Sequence, residues 1–355
     1  MNMGQATLDD PVGVAAVDLS GMLSTVATLG DQLRRGFEIG QRAQVPPAWR
    51  RHSAIVVCGM GGSAIVGDVV RGLLGDASPY PIIVAKGYTL PAFCGPDTTV
   101  VAVSYSGNTE ETLAAYADAT ERGCRAVSIS AGGLLQELAR TRVGVHVVLP
   151  ADAPMPRAAL GYLAGAILGT LGHLELPDLA GEVGVAARRL DELAARWKPD
   201  RPAEGNEAKA LAEWLVGRTP VIWGSEGLME PVALRWKNQL NENAKVPAFW
   251  SAIPELDHNE VEGWSPETAK EFALIALRHP GEHPRVAERF ALTLELASAA
   301  GLDAREVRAE GHGPLEWLFS QILLGDFVST YLAILRGVDP TPVPALTGLK
   351  ERLRR

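Results

Sequence analysis

Apolar residues along the first part of the chain follow two different spacings. Short runs of consecutive apolar residues, such as 54–58, are typical of strands that are buried on both faces of a parallel sheet. Between them lie longer stretches whose apolar residues recur at helical spacing. Strands that alternate with helices predict a parallel sheet covered by helices on both faces. The predicted strands are 54–58, 81–85, 98–104, 125–130 and 145–149, and the predicted helices are 20–42, one starting at Ser63, 113–120 and 134–140.

The second part of the chain repeats this pattern after a helical region. Residues 158–197 have helical spacing, and residues 198–205, rich in proline and charge, form the clearest linker. Strand-like and helix-like stretches then resume, which predicts a second copy of the same α/β domain. The elements predicted there are strands 219–224, 272–277 and 303–308, a helix over 229–240, a long apolar helix over 315–335 and an amphipathic helix over 346–355.

The expected fold class is therefore α/β, with two doubly wound parallel-sheet domains and flanking helices. A chain of 355 residues is also long for a single hydrophobic core. The predicted division is an N-terminal domain with its leading helix over 1–153, a helical connection and linker over 154–204, a C-terminal domain over 205–338 and a C-terminal helix over 339–355.

Composition and charge predict where the protein is located and which classes of partner it does not bind. The longest apolar stretch noted, 158–171, is too short to cross a membrane, and the acidic start of the chain does not resemble a secretory signal. Three cysteines, an odd number, indicate reduced thiols in a cytoplasm. The net charge of −9 argues against a nucleic-acid surface, though not against a small anionic substrate. We expect a cytoplasmic protein without nucleic-acid or membrane partners.

A glycine-rich turn follows the first predicted strand. Gly59, Gly61 and Gly62 allow the backbone to take positive φ and to approach a ligand closely. Ser63 then stands at the start of a helix, where unpaired N–H groups and the helix dipole favour an anion. The turn lacks the lysine of a P-loop and the glycine spacing of a dinucleotide-binding loop. It indicates a phosphate site without a nucleotide, although a tight turn with a serine N-cap explains the same residues.

A hydroxyl-rich loop follows the predicted strand 98–104. Ser104, Ser106 and Thr109 cluster at the start of the next helix, ahead of Glu110 and Glu111. A single loop of this kind is usually a helix cap with a capping box. Two such loops on neighbouring strands, however, converge at the carboxyl edge of a parallel sheet, where open α/β sheets bind ligands. The pair of loops therefore favours a phosphate site over two unrelated caps.

Three further side chains are candidates for proton-transfer chemistry. Glu242 and His258 supply a carboxylate and an imidazole, the pair needed to move a proton between carbons and to open a sugar ring. Taken alone, Glu242 is more often a solvated helix-end charge and His258 a loop histidine. Arg157 stands at a predicted helix start, where the dipole disfavours a cation, so we expect it to serve another group. The other histidines lack metal-ligand spacing, and no metal is expected.

These motifs follow one another in the order found in one family. They are 59–63 (Gly-Met-Gly-Gly-Ser), 104–109 (Ser-Tyr-Ser-Gly-Asn-Thr), 241–245 (Asn-Glu-Asn-Ala-Lys), 255–260 (Glu-Leu-Asp-His-Asn-Glu) and 324–326 (Leu-Gly-Asp). The chain resembles the bifunctional phosphoglucose/phosphomannose isomerases of archaea and some bacteria, which are built from two sugar-isomerase (SIS) domains. The resemblance covers most of the chain. It departs at Pro314, where a small polar residue is more usual, and this leaves the start of that helix open.

The resemblance implies an aldose–ketose isomerase of hexose 6-phosphates that needs neither metal nor cofactor. Removal of the C2 proton gives a planar cis-enediol, which erases the configuration that separates glucose 6-phosphate from mannose 6-phosphate. Both sugars then give fructose 6-phosphate. A homodimer with its active site shared between subunits is also implied.

The resemblance further implies a role for each candidate catalytic residue. Glu242 would be the base that shuttles the proton between C1 and C2, and Arg157 would stabilise the enediolate. His258 would assist ring opening, reaching in from the second subunit. Lys350 corresponds to a C-terminal lysine near the ring oxygen of the sugar.

Substrate binding is assigned in the same way. Thr341 corresponds to a threonine that sets specificity, and Thr347 stays open as the alternative. The residues expected to hold the phosphate are Gly61, Gly62, Ser63, Ser104, Ser106 and Thr109.

Two other classes of protein stay open. A non-catalytic SIS-type sensor of sugar phosphates usually carries a basic DNA-binding helix pair, and none is recognisable over 1–53. A sensor also has no use for Glu242. The other class is an SIS enzyme acting on another phosphosugar. An amidotransferase of that kind needs an N-terminal cysteine, whereas this chain starts Met-Asn.

Overall fold

The first sheet carries the two loops that the sequence predicts to hold phosphate. The computed structural model describes residues 8–353. The strands of this sheet are β1 (Ala54–Cys58), β2 (Ile82–Ala85), β3 (Thr98–Val103), β4 (Arg125–Ser130) and β5 (Val145–Val148). They are parallel, in the order β2-β1-β3-β4-β5. Every position of β1 and β3 is buried because these strands are central and covered on both faces, as their apolar runs predicted.

Helices connect β1 to β2, β3 to β4 and β4 to β5. They are α4 (Ala64–Leu74), α5 (Glu110–Glu121) and α6 (Gly133–Thr141). α4 begins directly after Ser63, and α5 begins directly after Thr109. Because the strands are parallel, both helices start at the carboxyl edge of the sheet, and their first turns lie at the same edge.

The single helix predicted over 20–42 is wrong. The chain forms α1 (Pro11–Val17), α2 (Met22–Val26) and α3 (Leu29–Gln41). The break follows α2, where the Thr28 hydroxyl donates to the carbonyl of Thr25 at 2.7 Å and the backbone leaves helical geometry. The helix α1, which the apolar pattern did not reveal, starts with the Asp10 side chain accepting from the N–H of Val12 at 3.0 Å.

The helix α3 and the helix that follows the first sheet pack backbone to backbone. α7 (Leu160–Leu171) lies along α3, and α8 (Ala180–Trp197) follows it. Glycines form the contact: a Cβ placed on Gly40 would lie 2.3 Å from the carbonyl oxygen of Ala166, and one on Gly165 would lie 2.3 Å from that of Leu33. Only glycine permits this approach. The contact fixes the start of α7, which is preceded by a short 3-10 turn over Pro156–Ala159.

The second sheet repeats the connectivity of the first. Its strands are β6 (Thr219–Ser225), β7 (Phe249–Ile253), β8 (Phe272–Arg278) and β9 (Asp303–Arg308), parallel and in the order β7-β6-β8-β9. The helices around it are α9 (Glu207–Leu215), α10 (Glu230–Glu242) and α11 (Pro284–Ala299). In each sheet the second strand lies on one side of the first and the third strand on the other. The prediction of two copies of one α/β unit is confirmed, whereas β7, α9 and α11 were missed.

A long apolar helix forms the centre of the molecule. α12 (Pro314–Leu335) packs against α8, α9 and α10. It is long and apolar enough to span a membrane, more so than 158–171, but 94% of its most apolar window is buried within the protein, as in the core helix of a globular fold. It begins at Pro314 itself, which is favourable at the first helical position. The last helix, α13 (Pro344–Leu353), has no buried residue. The domain limits given above stay a prediction.

Candidate active site

The two hydroxyl-bearing loops meet at the carboxyl edge of the first sheet. Ser63 is buried, and its Oγ accepts a hydrogen bond from the N–H of Tyr105 in the second loop at 3.2 Å. In that second loop, Ser104 Oγ and Thr109 Oγ1 lie 2.9 Å apart. The two loops are therefore joined by a direct bond.

The hydroxyls at the two helix starts do not act as caps. Within residues 8–353, neither the Ser63 side chain nor the Thr109 side chain bonds to an N–H group of its own helix. Ser106 is exposed, and its Oγ accepts from the N–H of Asn108 at 3.3 Å. Interpreting Ser63 and Thr109 as simple N-caps is wrong. The first-turn N–H groups of α5, which have no side-chain cap, form the kind of site that binds an anion. In α4, the N–H groups of Ala64 and Ile65 already donate to the carbonyls of Met60 and Gly61.

The glycine-rich loop packs directly against the turn that carries Arg157. Gly61 has a φ of +54°, which favours glycine. A Cβ on Gly62 would lie 2.9 Å from the backbone N and Cα of Arg157. The glycines therefore bring the loop into contact with the 3-10 turn over Pro156–Ala159.

Arg157 is buried, and most of its donors are occupied. Its Nε donates to Asn243 Oδ1 at 2.8 Å, and its Nη2 donates to the carbonyls of Pro340 and Thr341, both at 2.8 Å. Its Nη1 lies 3.4 Å from Glu242 Oε2. A guanidinium has five N–H groups, so one hydrogen on Nη1 remains for a ligand. Burial lowers the pKa of Arg157 and Glu242 opposes that effect, but an arginine stays charged at physiological pH.

Glu242 is the last residue of α10, and its side chain remains accessible. The side chain is 26% exposed and lines a cleft of about 540 Å³. Lys245 also lines this cleft, and its Nζ donates to backbone carbonyls that include Pro340 at 3.2 Å. Burial, and then the charge of Arg157, lowers the pKa of Lys245. The carboxylate therefore contacts one cationic side chain, Arg157, and lines a cleft together with a second, Lys245.

Thr341 lies beside Arg157, whereas Thr347 does not. Thr341 is buried and its carbonyl accepts from Arg157. Among the residues described, its Oγ1 has no hydrogen-bond partner. Thr347 is exposed, and its hydroxyl donates to the carbonyl of Val343 at 3.2 Å. Of the two threonines, Thr341 is the one that contacts Arg157, and its unpaired hydroxyl is buried.

Two predicted site residues lie outside this cluster in a single chain. His258 is exposed at the end of a 3-10 turn, which Arg289 and Thr293 hold through bonds of 3.0 Å and 2.8 Å to Asp257. Lys350 is exposed on α13. In the part of the chain that is described, no hydrogen bond or ion pair joins either residue to Glu242.

A buried ionic network beneath Arg157 was missed by sequence analysis. Arg235 pairs with Asp326 at 2.6 Å, and its Nη2 also donates to the backbone carbonyl of Arg157 at 3.0 Å. Gln239 Nε2 donates to Asp326 Oδ1 at 3.0 Å. Burial raises the pKa of Asp326, and Arg235 counters it. Asp326 belongs to the motif at 324–326, but the sequence did not indicate its partners Arg235 and Gln239.

No metal-ligating arrangement is found over 8–353, where no group of three or more His, Cys, Asp or Glu side chains could hold a metal ion. All three cysteines are buried and free. Burial raises the pKa of Cys58 to about 12 and that of Cys124 to about 11, so both are thiols rather than thiolates at neutral pH.

Comparison with known proteins shows which families have a similar sequence. Residues 204–353 match the family described as the bacterial phospho-glucose isomerase C-terminal SIS domain. The chain is 38% identical over 339 residues to a bifunctional phosphoglucose/phosphomannose isomerase of Caldicellulosiruptor bescii, covering 94% of this chain and 98% of the relative. It is 32% identical over 237 residues to a D-glucosamine-6-phosphate 4-epimerase of Sulfolobus acidocaldarius, covering 65% of this chain and 70% of that relative.

Among solved structures, the fold resembles that of a glucose-6-phosphate isomerase like protein from Thermus thermophilus. The TM-score is 0.64, the identity is 22%, and the alignment covers 96% of this chain and 99% of the other. The similarity in fold thus extends over both sheets and the helices between them. From its full-length identity to curated relatives, together with this fold, the chain belongs to the bifunctional phosphoglucose/phosphomannose isomerase family.

Proposed function

We propose that this chain interconverts glucose 6-phosphate and mannose 6-phosphate with fructose 6-phosphate through a cis-enediol intermediate. The observation that carries the proposal is the Arg157–Glu242 pair, 3.4 Å apart, beside two loops rich in hydroxyl and N–H donors. A base and a fixed cation in contact, close to an anion-binding edge, suit proton transfer on a sugar phosphate.

In this proposal, Glu242 removes the proton from C2 and returns it to C1. The negative charge that develops on the enediolate oxygens is met by the remaining Nη1 hydrogen of Arg157. Because Arg157 is buried and held by Asn243 and by two carbonyls, it needs no reorganisation as the charge appears. Carbon configuration at C2 is lost in the planar intermediate, so one base serves both aldoses.

The phosphate of the substrate is assigned to the paired loops. Ser104, Ser106 and Thr109 supply hydroxyls, and the first-turn N–H groups of α5 supply further donors. Gly61 and Gly62 let the backbone approach the anion. Phosphate contacts persist from ground state to transition state, so removing one should raise KM more than it lowers kcat.

Ring opening requires a further acid–base group, and the His258 of the same chain lies outside the Arg157–Glu242 cluster. We assign this role to His258 of a second copy, in a homodimer that shares its sites, with Lys350 near the ring oxygen. The exposure of His258 on an anchored turn supports this assignment. The free Thr341 hydroxyl is assigned to the sugar hydroxyls and to specificity. A cytoplasmic location is part of the same proposal.

The direct test is a coupled assay for fructose 6-phosphate formation from each aldose phosphate, with EDTA present. Turnover of both aldoses supports the proposal, and no turnover of either refutes it. Glu242→Gln should abolish kcat while a sugar phosphate still binds. Incubation with glucosamine 6-phosphate, followed by NMR, tests the epimerase chemistry named for the Sulfolobus acidocaldarius relative.

The shared site has its own test. Glu242→Gln and His258→Ala chains are denatured together and refolded. Random pairing makes about half of the dimers mixed, each with one intact site, so about a quarter of wild-type activity should return from two inactive parents. Activity that stays at the level of the parents, with mixed dimers shown to form, would refute the assignment of His258 to the neighbouring subunit.

A further inference from the structure

Asn243 adjoins both residues of the proposed proton-transfer pair. It follows Glu242 directly and is fully buried at the end of α10. Its Oδ1 accepts from Arg157 Nε at 2.8 Å. Its Nδ2 donates to Ser329 Oγ on α12 at 3.0 Å. The Asn243 side-chain amide thus connects Arg157, the proposed stabiliser of the enediolate, to α12.

The orientation of this amide is determined at both of its ends. Arg157 Nε can only donate, so it requires the oxygen of Asn243. Ser329 gives its hydroxyl hydrogen to the carbonyl of Asp326, three residues earlier, at 3.0 Å. Its lone pairs are then left to accept from Asn243 Nδ2. The reversed amide would place two donors together at one end and two acceptors together at the other.

The same bond completes the positioning of the guanidinium. The carbonyls of Pro340 and Thr341 both bind Nη2, so they hold the side chain at a single nitrogen. A plane held at one atom can still rotate about that atom. The bond from Nε to Asn243 supplies the second fixed point, and it directs Nη1 towards Glu242 Oε2.

We propose that Asn243 is a positioning residue that holds Arg157 Nη1 towards the reacting oxygens, and that Ser329 acts through it by selecting the orientation of its amide. This inference rests on the isomerase function proposed above. Asn243 and Ser329 affect the contact between Arg157 and the enediolate but not the phosphate loops. Removing either side chain therefore lowers kcat and leaves KM nearly unchanged.

The experiment compares Asn243→Ala, Ser329→Ala and the double variant by steady-state kinetics, with melting temperatures measured for each. We expect kcat to fall about 100-fold in Asn243→Ala and about 10-fold in Ser329→Ala, since small misplacements of a catalytic group cost factors of this order. The double variant should be no slower than Asn243→Ala alone, because Ser329 acts only through Asn243.

The chain offers a matched control on the same helix. Ser320 is buried on α12, donates to the carbonyl of Trp317 at 3.0 Å and accepts from the N–H of Glu310 at 3.0 Å. Ser320→Ala removes the same local pattern away from the cleft. It should lower the melting temperature about as much as Ser329→Ala while leaving kcat unchanged.

Rescue by a conservative variant separates positioning from a purely structural role. Asn243→Asp keeps an acceptor for Arg157 Nε, so it should retain more of kcat than Asn243→Ala, whereas a purely structural role predicts that kcat follows the melting temperature. A kcat within about threefold of wild type in Asn243→Ala, or a fully additive double variant, would overturn the inference. Wild-type protein without turnover would instead refute the proposed function.

Discussion

The glycine contact between α3 and α7 allows a prediction with a definite sign. In Gly165→Ala the new methyl would lie 2.3 Å from the carbonyl oxygen of Leu33 and 2.6 Å from the backbone N of Phe37. Both atoms belong to the backbone of α3, so no side-chain rotation relieves the overlap. Ordinary contact begins at 3.4 Å, so the two helices must separate locally by about 1 Å.

The expected magnitude follows from two opposing effects. Alanine is the better helix former by about 1 kcal/mol, which favours the variant. Overpacking a rigid contact costs about 1–3 kcal/mol or more, and separating the helices also loosens the neighbouring glycine contacts. We expect a net loss of about 2 kcal/mol in unfolding free energy. Gly184→Ala in α8 is the matched control, because its nearest neighbour is the flexible Arg188 side chain at 3.8 Å.

Urea unfolding followed by circular dichroism measures both variants. Midpoints are compared rather than extrapolated free energies, since a chain with two domains need not unfold in two states. Gly165→Ala should lower the urea midpoint. Gly184→Ala should raise it slightly, which corresponds to a gain of about 0.5–1 kcal/mol in unfolding free energy. A Gly165→Ala midpoint at or above that of wild type would refute the backbone-to-backbone contact.

Three further predictions address charge. Arg157→Lys should lower kcat by about 100-fold or more. The single lysine nitrogen cannot reach Asn243, the carbonyls of Pro340 and Thr341, and the enediolate together. A kcat within about threefold of wild type in steady-state kinetics would contradict this prediction. Lys209→Met should lower the unfolding free energy by about 3 kcal/mol, and with it the urea midpoint, since the fully buried Nζ donates to three backbone carbonyls at 2.6–3.0 Å. An unchanged midpoint would contradict this prediction. Burial lowers the pKa of His146, so its contribution to stability is complete above about pH 6.5 and is lost as the pH falls through its folded value. His146→Gln should therefore reduce the fall in melting temperature between about pH 7 and pH 5, and identical pH slopes would argue against it.

Local patterning along the chain determined most of the first sheet and part of the second. The predicted bounds of β1, β4 and β9 agree with the structure. For β1 the reason is that a strand buried on both faces is apolar at consecutive positions. β9 is different, because it is an edge strand in which five of six positions are partly or fully exposed, and burial does not explain why its bounds agree. The two loops were predicted to meet for a similar reason: loops after parallel strands share one edge.

Elements without such spacing needed the tertiary structure. β7 lies at the edge of its sheet, and four of its five positions are partly or fully exposed. An edge strand has no need of a continuous apolar run, so its residues carried no strong signal. The break between α2 and α3 was hidden because apolar residues at helical spacing continue across it on both sides.

The arrangement of the candidate active site is also a result of tertiary packing. Arg157 and Glu242 are separated by 85 positions, and they meet because α7, α10 and the segment after α12 converge on one point. Sequence motifs named the residue types but contained no distances, and they did not reveal that Asn243 and Ser329 complete the setting of Arg157. Distances between remote residues depend on how both domains pack on α12, and that packing is a property of the whole chain rather than of any local stretch.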